Sequence, residues 1–131
     1  GIDAALLSNH IAVDIGVAEV AALLVAGGAA DAAVLGAVSR LVIDLNREAD
    51  HPGLIPESSD GHVIGGNVGL TDAARADRLD RYYHPYHARL DAVIASARPA
   101  LILSLHSFTP RLASQPDAAR PWDIGVLYNQ D

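Results

Sequence analysis

The chain has 131 residues, half of them hydrophobic, with 9 basic against 16 acidic side chains and a formal charge of −7. That length suits one domain, able to bury roughly two thirds of the surface its unfolded chain exposes. So acidic a surface, with no basic run, excludes nucleic acid and anionic membranes as natural partners. Cysteine is absent, which excludes disulfides and thiolate metal sites and leaves histidine and carboxylate as the metal donors.

The longest apolar run, Val20 to Ala30, has 11 residues, fewer than the ~18 of a membrane span. No signal peptide is visible. The absence of methionine, even at position 1, suggests a processed or excised chain.

From Ser8 to Ala26, Ile11, Ile15, Ala18 and Ala22 recur at helical spacing, and Gly27-Gly28 closes the expected helix. Ala32 to Ala37 and Leu41 to Leu45 read as short buried strands. Asn46 to Leu70 carries two prolines and five glycines without apolar periodicity, so it reads as a long, functional loop. Thr71 then offers an N-cap to a second helix running to Ala97, whose apolar face includes Leu79, Tyr83, Tyr86 and Leu90. Pro85 removes one backbone bond inside it, and a kink is expected there. A strand from Leu101 to His106, a polar loop through Arg120 and a final strand from Ile124 to Tyr128 complete the order. Helices alternating with apolar strands predict an α/β fold in three layers, a largely parallel sheet flanked by helices. In such sheets ligands gather at the carboxyl ends of the strands.

Two strand ends carry chemistry. LVIDLNR presents Asp44, Asn46 and Arg47, and LILSLHS presents His106 and Ser107; rigid strand ends suit a site. The plainer alternative is that polar residues mark where a strand leaves the core. Arg40 and Arg47 could grip a carboxylate with their forked guanidinium groups, or pair with nearby acids such as Glu48 and Asp50. His10 and Asp14, four apart in HIAVDIG, would share a helical face. In YYHPYH, His84 and His87 flank Pro85 among three tyrosines; the aromatics suit a core, the histidines a proton transfer near neutrality. The glycine-rich DGHVIGGNVGL lacks the Lys-Ser/Thr of a phosphate loop and reads better as a lid. No G-x-S-x-G elbow supports Ser107 as a nucleophile.

Taken in order, HIAVDIG, SRLVIDLNR, DGHVIGGN, YYHPYH, LHSFTP and RPWDIGVL resemble the N-formylglutamate amidohydrolase family, over nearly the whole chain. The resemblance implies a single domain over residues 1–131, incomplete at both ends, with a fold akin to zinc-dependent exopeptidases. It also implies cytoplasmic hydrolysis of the formyl amide of N-formyl-glutamate, a step of histidine degradation. The implied cofactor is a divalent metal, zinc, near Asp14 and His106; Arg40, Asn46, Arg47 and Tyr86 would contact a small anionic substrate. His87 would border the same pocket; with His106 it is read as the catalytic pair, His87 as candidate proton shuttle.

The sequence departs from the family pattern in two respects. A His-bearing strand of the family would precede Gly1, and Val13 and Gly65 stand where an aromatic residue and a proline are expected. Two alternatives stay open: a noncatalytic anion-binding module of the same fold, and a zinc-dependent peptidase or deacylase with another substrate.

Overall fold

The computed structural model describes residues 2–111, 115 and 117–127. Helix α1, Val17–Ala26, begins later than the apolar spacing predicts. Gly16 just before it has φ 80°, a left-handed conformation that breaks a continuous helix. The preceding chain is folded in turns instead, with the Ala12 N–H donating to Asn9 O at 2.9 Å. A 3₁₀ turn at Ala4–Leu6, capped by the Asp3 carboxylate, opens the chain. The helix ends where expected, the Gly27 N–H donating to Leu23 O at 2.8 Å.

Strands β1, Ser58–Ser59, and β2, His62–Val63, form an antiparallel hairpin pairing Ser58 with Val63 and Ser59 with His62. Its turn is Asp60-Gly61, at φ 43° and 82°, the residue pair that a two-residue hairpin with two positive φ values favours.

Helix α2, Asp72–Arg78, starts as predicted: the Thr71 hydroxyl accepts from the Ala74 N–H at 3.2 Å. A π-helical turn, Leu79–Tyr83, joins it to helix α3, His84–Ala97. The His84 N–H bonds Leu79 O, five residues back. The wider turn places Pro85 in the first turn of α3, where a missing N–H costs little. A change of helical pitch thus takes the place of a break at the proline. Arg98 ends α3 in the left-handed region at φ 46°, and Pro99 follows.

Two apolar clusters hold these elements. Ile11, Ala12, Leu41 and Ile64 pack together with Ile2 and Leu6 against them. Ile43, Leu54, Ile55 and Tyr83 form the second, bordered by Val38, Leu45, Leu70 and Leu79. The long loop from Asn46 to Leu70 therefore supplies core residues, Leu54, Ile55 and, from the part expected to be a lid, Ile64. Asn67, 2% exposed, lies among them. Its amide donates to Leu41 O at 2.8 Å and to Pro56 O at 2.6 Å, and its carbonyl accepts from Arg78 Nη1 at 2.8 Å.

The mixed α/β character holds, but the three-layer parallel sheet does not appear. Among the described residues the β1–β2 hairpin is the sheet. The expected strand Leu41 to Leu45 is a turn, the Val42 and Ile43 N–H groups both donating to Ser39 O. Leu41 and Ile43 are fully buried and Val42 and Leu45 half-buried, since burial is what the apolar run encodes and either backbone form can supply it. Ala32 to Ala37, Leu101 to His106 and Ile124 to Leu127 are non-helical and join no ladder; Tyr128 lies outside the described residues. Leu101, Ile102 and Leu103 are exposed, so neither face of that segment is covered. No described helix is long and apolar enough to cross a membrane.

Candidate active site

Three segments distant in sequence meet at Asp14. The HIAVD and SRL segments are fastened by backbone: the Arg40 N–H donates to Ala12 O at 3.1 Å, and the Ser39 hydroxyl donates to the same carbonyl at 3.0 Å. This brings the Arg40 guanidinium onto Asp14 Oδ1. The LHS segment arrives from the other side, where His106 Nδ1–H donates to Asp14 Oδ2 at 2.9 Å. The carboxylate is mostly buried and both oxygens are engaged. Such a bond fixes the ring tautomer: with the proton on Nδ1, the Nε2 lone pair of the neutral ring is the acceptor. The Ser104 hydroxyl donates to it at 3.0 Å, across a side chain that remains accessible.

A cavity of about 310 Å³ adjoins this pair, lined by His10, Ile11, Arg40, Ser59, Asp60, Ser107, Phe108, Thr109 and Arg120. Arg40 and Ser107 are the links, one bound to Asp14 and the other next to His106 in the chain. On the cavity wall His10 Nε2–H donates to Asp60 Oδ2 at 3.2 Å. His10 therefore pairs across the hairpin, not with Asp14 along a helix. Sequence reasoning passed over Asp60, Thr109 and Arg120. The Asp-Gly dipeptide was a hairpin signal for the first; the other two fall within the LHSFTP and RPWDIGVL blocks, which carried the resemblance without assigning either a role.

The remaining expected site residues lie apart from that cavity's lining. Arg47 Nε donates to Asp44 Oδ2 at 3.2 Å, and its Nη1 meets His51 Nε2 at 3.3 Å. The Asn46 N–H donates to Asp44 Oδ1 at 3.1 Å, closing the same turn. Tyr83 OH donates to Arg47 O at 2.9 Å. His87 Nε2–H donates to Leu45 O at 3.2 Å, its ring 4.2 Å from that of Tyr83 and edge-on to Tyr86 at 5.2 Å. The structure thus brings Asp14, Arg40 and His106 together, and gathers Asn46, Arg47, Tyr86 and His87 around the turn after Ile43.

For a metal, the Asp14–His106 pair offers the oxygen and nitrogen donors that zinc accepts. Among the described residues no third His, Cys, Asp or Glu joins a group able to hold one.

Comparison with known proteins adds the family. The sequence family described as N-formylglutamate amidohydrolase matches residues 1–131. The crystal structure of a gene product from Agrobacterium tumefaciens is similar in fold, with a TM-score of 0.83 and 31% identity, covering 100% of this chain and 52% of that one. No curated protein matches.

Proposed function

Since the chain belongs to the N-formylglutamate amidohydrolase family, whose members hydrolyse an amide, we propose that it cleaves the formyl amide of N-formyl-glutamate or a related N-acyl acidic amino acid. Water adds to the acyl carbon, the C–N bond breaks, the nitrogen gains a proton, and formate and the free amino acid leave. The observation that carries this reading is the Asp14–His106 bond at 2.9 Å beside a cavity with arginine on its wall.

Asp14 holds the His106 ring in one tautomer, leaving Nε2 as the atom that accepts a proton or donates to a metal. Arg40 compensates the carboxylate charge where it is largely removed from water. His106 Nε2 would hold the expected divalent ion, with Asp14 orienting the ring from Nδ1, and the ion would lower the pKa of its water to about 7. For Asp14 itself to serve as a metal donor, a carboxylate oxygen would use the lone pair left beside its bond to Arg40 or His106. Coordination would then be completed by groups beyond this pair.

A noncatalytic anion-binding module is the second reading, favoured by the full engagement of both Asp14 oxygens. Formate release from N-formyl-glutamate, before and after chelation and zinc readdition, separates the two. The hydrolase reading expects turnover that falls with chelation and recovers. It also expects His106→Ala to lose at least ~100-fold in kcat, the scale of positioned acid–base groups. Wild-type activity in His106→Ala rejects the assignment of that residue, and no turnover with zinc present rejects the hydrolase.

A further inference from the structure

One wall of the cavity is not used by the Asp14–His106 pair. Thr109 is on that wall, and its hydroxyl is buried and without a hydrogen-bond partner. Buried polar groups are ordinarily satisfied, and an orphan beside a cavity marks a place where a bound molecule can complete the bond. Arg120 lines the same cavity. Its guanidinium carbon lies 5.3 Å from the Phe108 ring centroid, a cation–π contact that steadies the cation on this wall. The backbone fixes the loop as well, the Arg120 N–H donating to Pro110 O at 2.8 Å.

The other charged groups on the wall are already engaged, Arg40 with Asp14 and Asp60 with His10. Arg120 forms no ion pair among the described residues. An unneutralised guanidinium on the same wall as an unsatisfied hydroxyl matches one chemical group above others, a carboxylate, which accepts from both.

The geometry points to Arg120 and Thr109 as the carboxylate-binding wall of this cavity: the guanidinium and the hydroxyl together hold a carboxylate of the acidic substrate while its amide faces His106. This rests on the hydrolase reading for the amide, but the carboxylate contact itself can be measured without turnover. It also moves recognition of the anion from Arg47, which is engaged by Asp44 and His51, to a residue of the loop after the LHSFTP segment.

The test has two arms on the full chain. In the first, KM and kcat for N-formyl-glutamate are measured in wild type, Arg120→Gln, Arg120→Lys and Thr109→Val. KM is expected to rise ~10-fold or more in Arg120→Gln, as befits a charged hydrogen-bonding partner, with kcat little changed. Arg120→Lys recovers part of the loss. Thr109→Val raises KM several-fold, while its melting temperature stays level or increases because the unsatisfied hydroxyl is gone; a purely structural role would leave KM alone. In the second arm, glutarate binding is followed by calorimetry. Binding by wild type that is lost in Arg120→Gln, even without turnover, supports the carboxylate wall and removes only the hydrolase reading. The inference is overturned if wild type does not bind glutarate, if the variants bind it as tightly as wild type, or if KM is unchanged in both Arg120→Gln and Thr109→Val. Should Arg120→Gln fail to fold, Arg120→Lys and Thr109→Val decide it.

Discussion

Tyr83 joins the second apolar cluster to the turn that carries Arg47, and its chemistry sets a pH limit. Burial pushes its phenol above the ordinary value near 10, and the neighbouring charges of Glu48 and Asp50 add to the effect. The folded chain therefore holds the phenol proton more tightly than the unfolded chain does. Its contribution is whole below about pH 10 and is lost as pH rises through the higher folded-state value. Tyr83→Phe should lose about 1 kcal/mol at neutral pH, the worth of the bond to Arg47 O, and show a shallower decline above pH 10. Urea midpoints from pH 8 to 11 measure this; parallel curves for the two proteins would remove Tyr83 as the source. At this scale the site was legible in part. His106 stood out because a polar group ending an apolar run needs a reason, and Asp14 by its spacing from His10, although its histidine partner in the structure is His106. Arg47 stood out on the same grounds as His106 but finds its partners three and four residues away, an outcome that spacing permits equally. Arg120 opens the RPWDIGVL block but nothing local singled it out, since its contact is with a ring 12 positions earlier.

The helices were more legible than the loop between them. Thr71 capped α2 as its hydroxyl suggests, and α3 ran to Ala97 as its apolar spacing suggests. The π-helical turn was not foreseen: Pro85 announces a problem for the backbone but not which solution the surrounding packing selects. The 46–70 segment is a loop with a short hairpin, and what its reading missed has a related reason. Glycine and proline hide apolar periodicity, yet Leu54, Ile55 and Ile64 are buried. What fixes this segment is polar. Arg78 Nη1 donates to Val42 O at 2.7 Å and to Asn67 Oδ1 at 2.8 Å, and its Nη2 donates to Gly66 O at 3.0 Å. One side chain of α2 thus satisfies acceptors from the 39–43 turn and the 64–67 turn, and through Asn67 it also supports Leu41 O and Pro56 O. Arg78→Ala should destabilise the fold by about 3 kcal/mol, because several part-buried acceptors lose a charged donor at once. Arg78→Lys should recover little, a point charge being unable to reach acceptors arranged for a fork. Denaturant unfolding checks both, and a loss below about 1 kcal/mol in Arg78→Ala would mean that water replaces the guanidinium.

For the molecule as a whole, the sequence announced apolar segments correctly but not their partners. A run such as LILSL is what a strand buried on both faces looks like, and the parallel-sheet expectation followed from it. Pairing is a long-range property, however, and a run of leucine and isoleucine does not say which chain segment lies beside it. In this chain the segment lies open. Leu101 is 79% exposed, Ile124 84% and Leu127 99%, and backbone groups along 101–107 join no ladder among the described residues. Uncovered apolar surface of this kind, with free backbone donors and acceptors, is a template for association. The 131-residue polypeptide should therefore enhance ANS fluorescence at neutral pH and sediment at a mass that grows with concentration. Replacing Ile102 and Leu103 by glutamate should weaken both effects while leaving helix content unchanged, since neither residue contributes to the two apolar clusters. The charge also works against pairing by any second copy, each added glutamate facing its like in an antiparallel arrangement or stacking beside it in a parallel one. ANS fluorescence and sedimentation velocity on both forms decide the matter: a wild-type chain that ignores the dye and stays monomeric across a ~100-fold range of concentration would mean that these segments find cover within the chain itself.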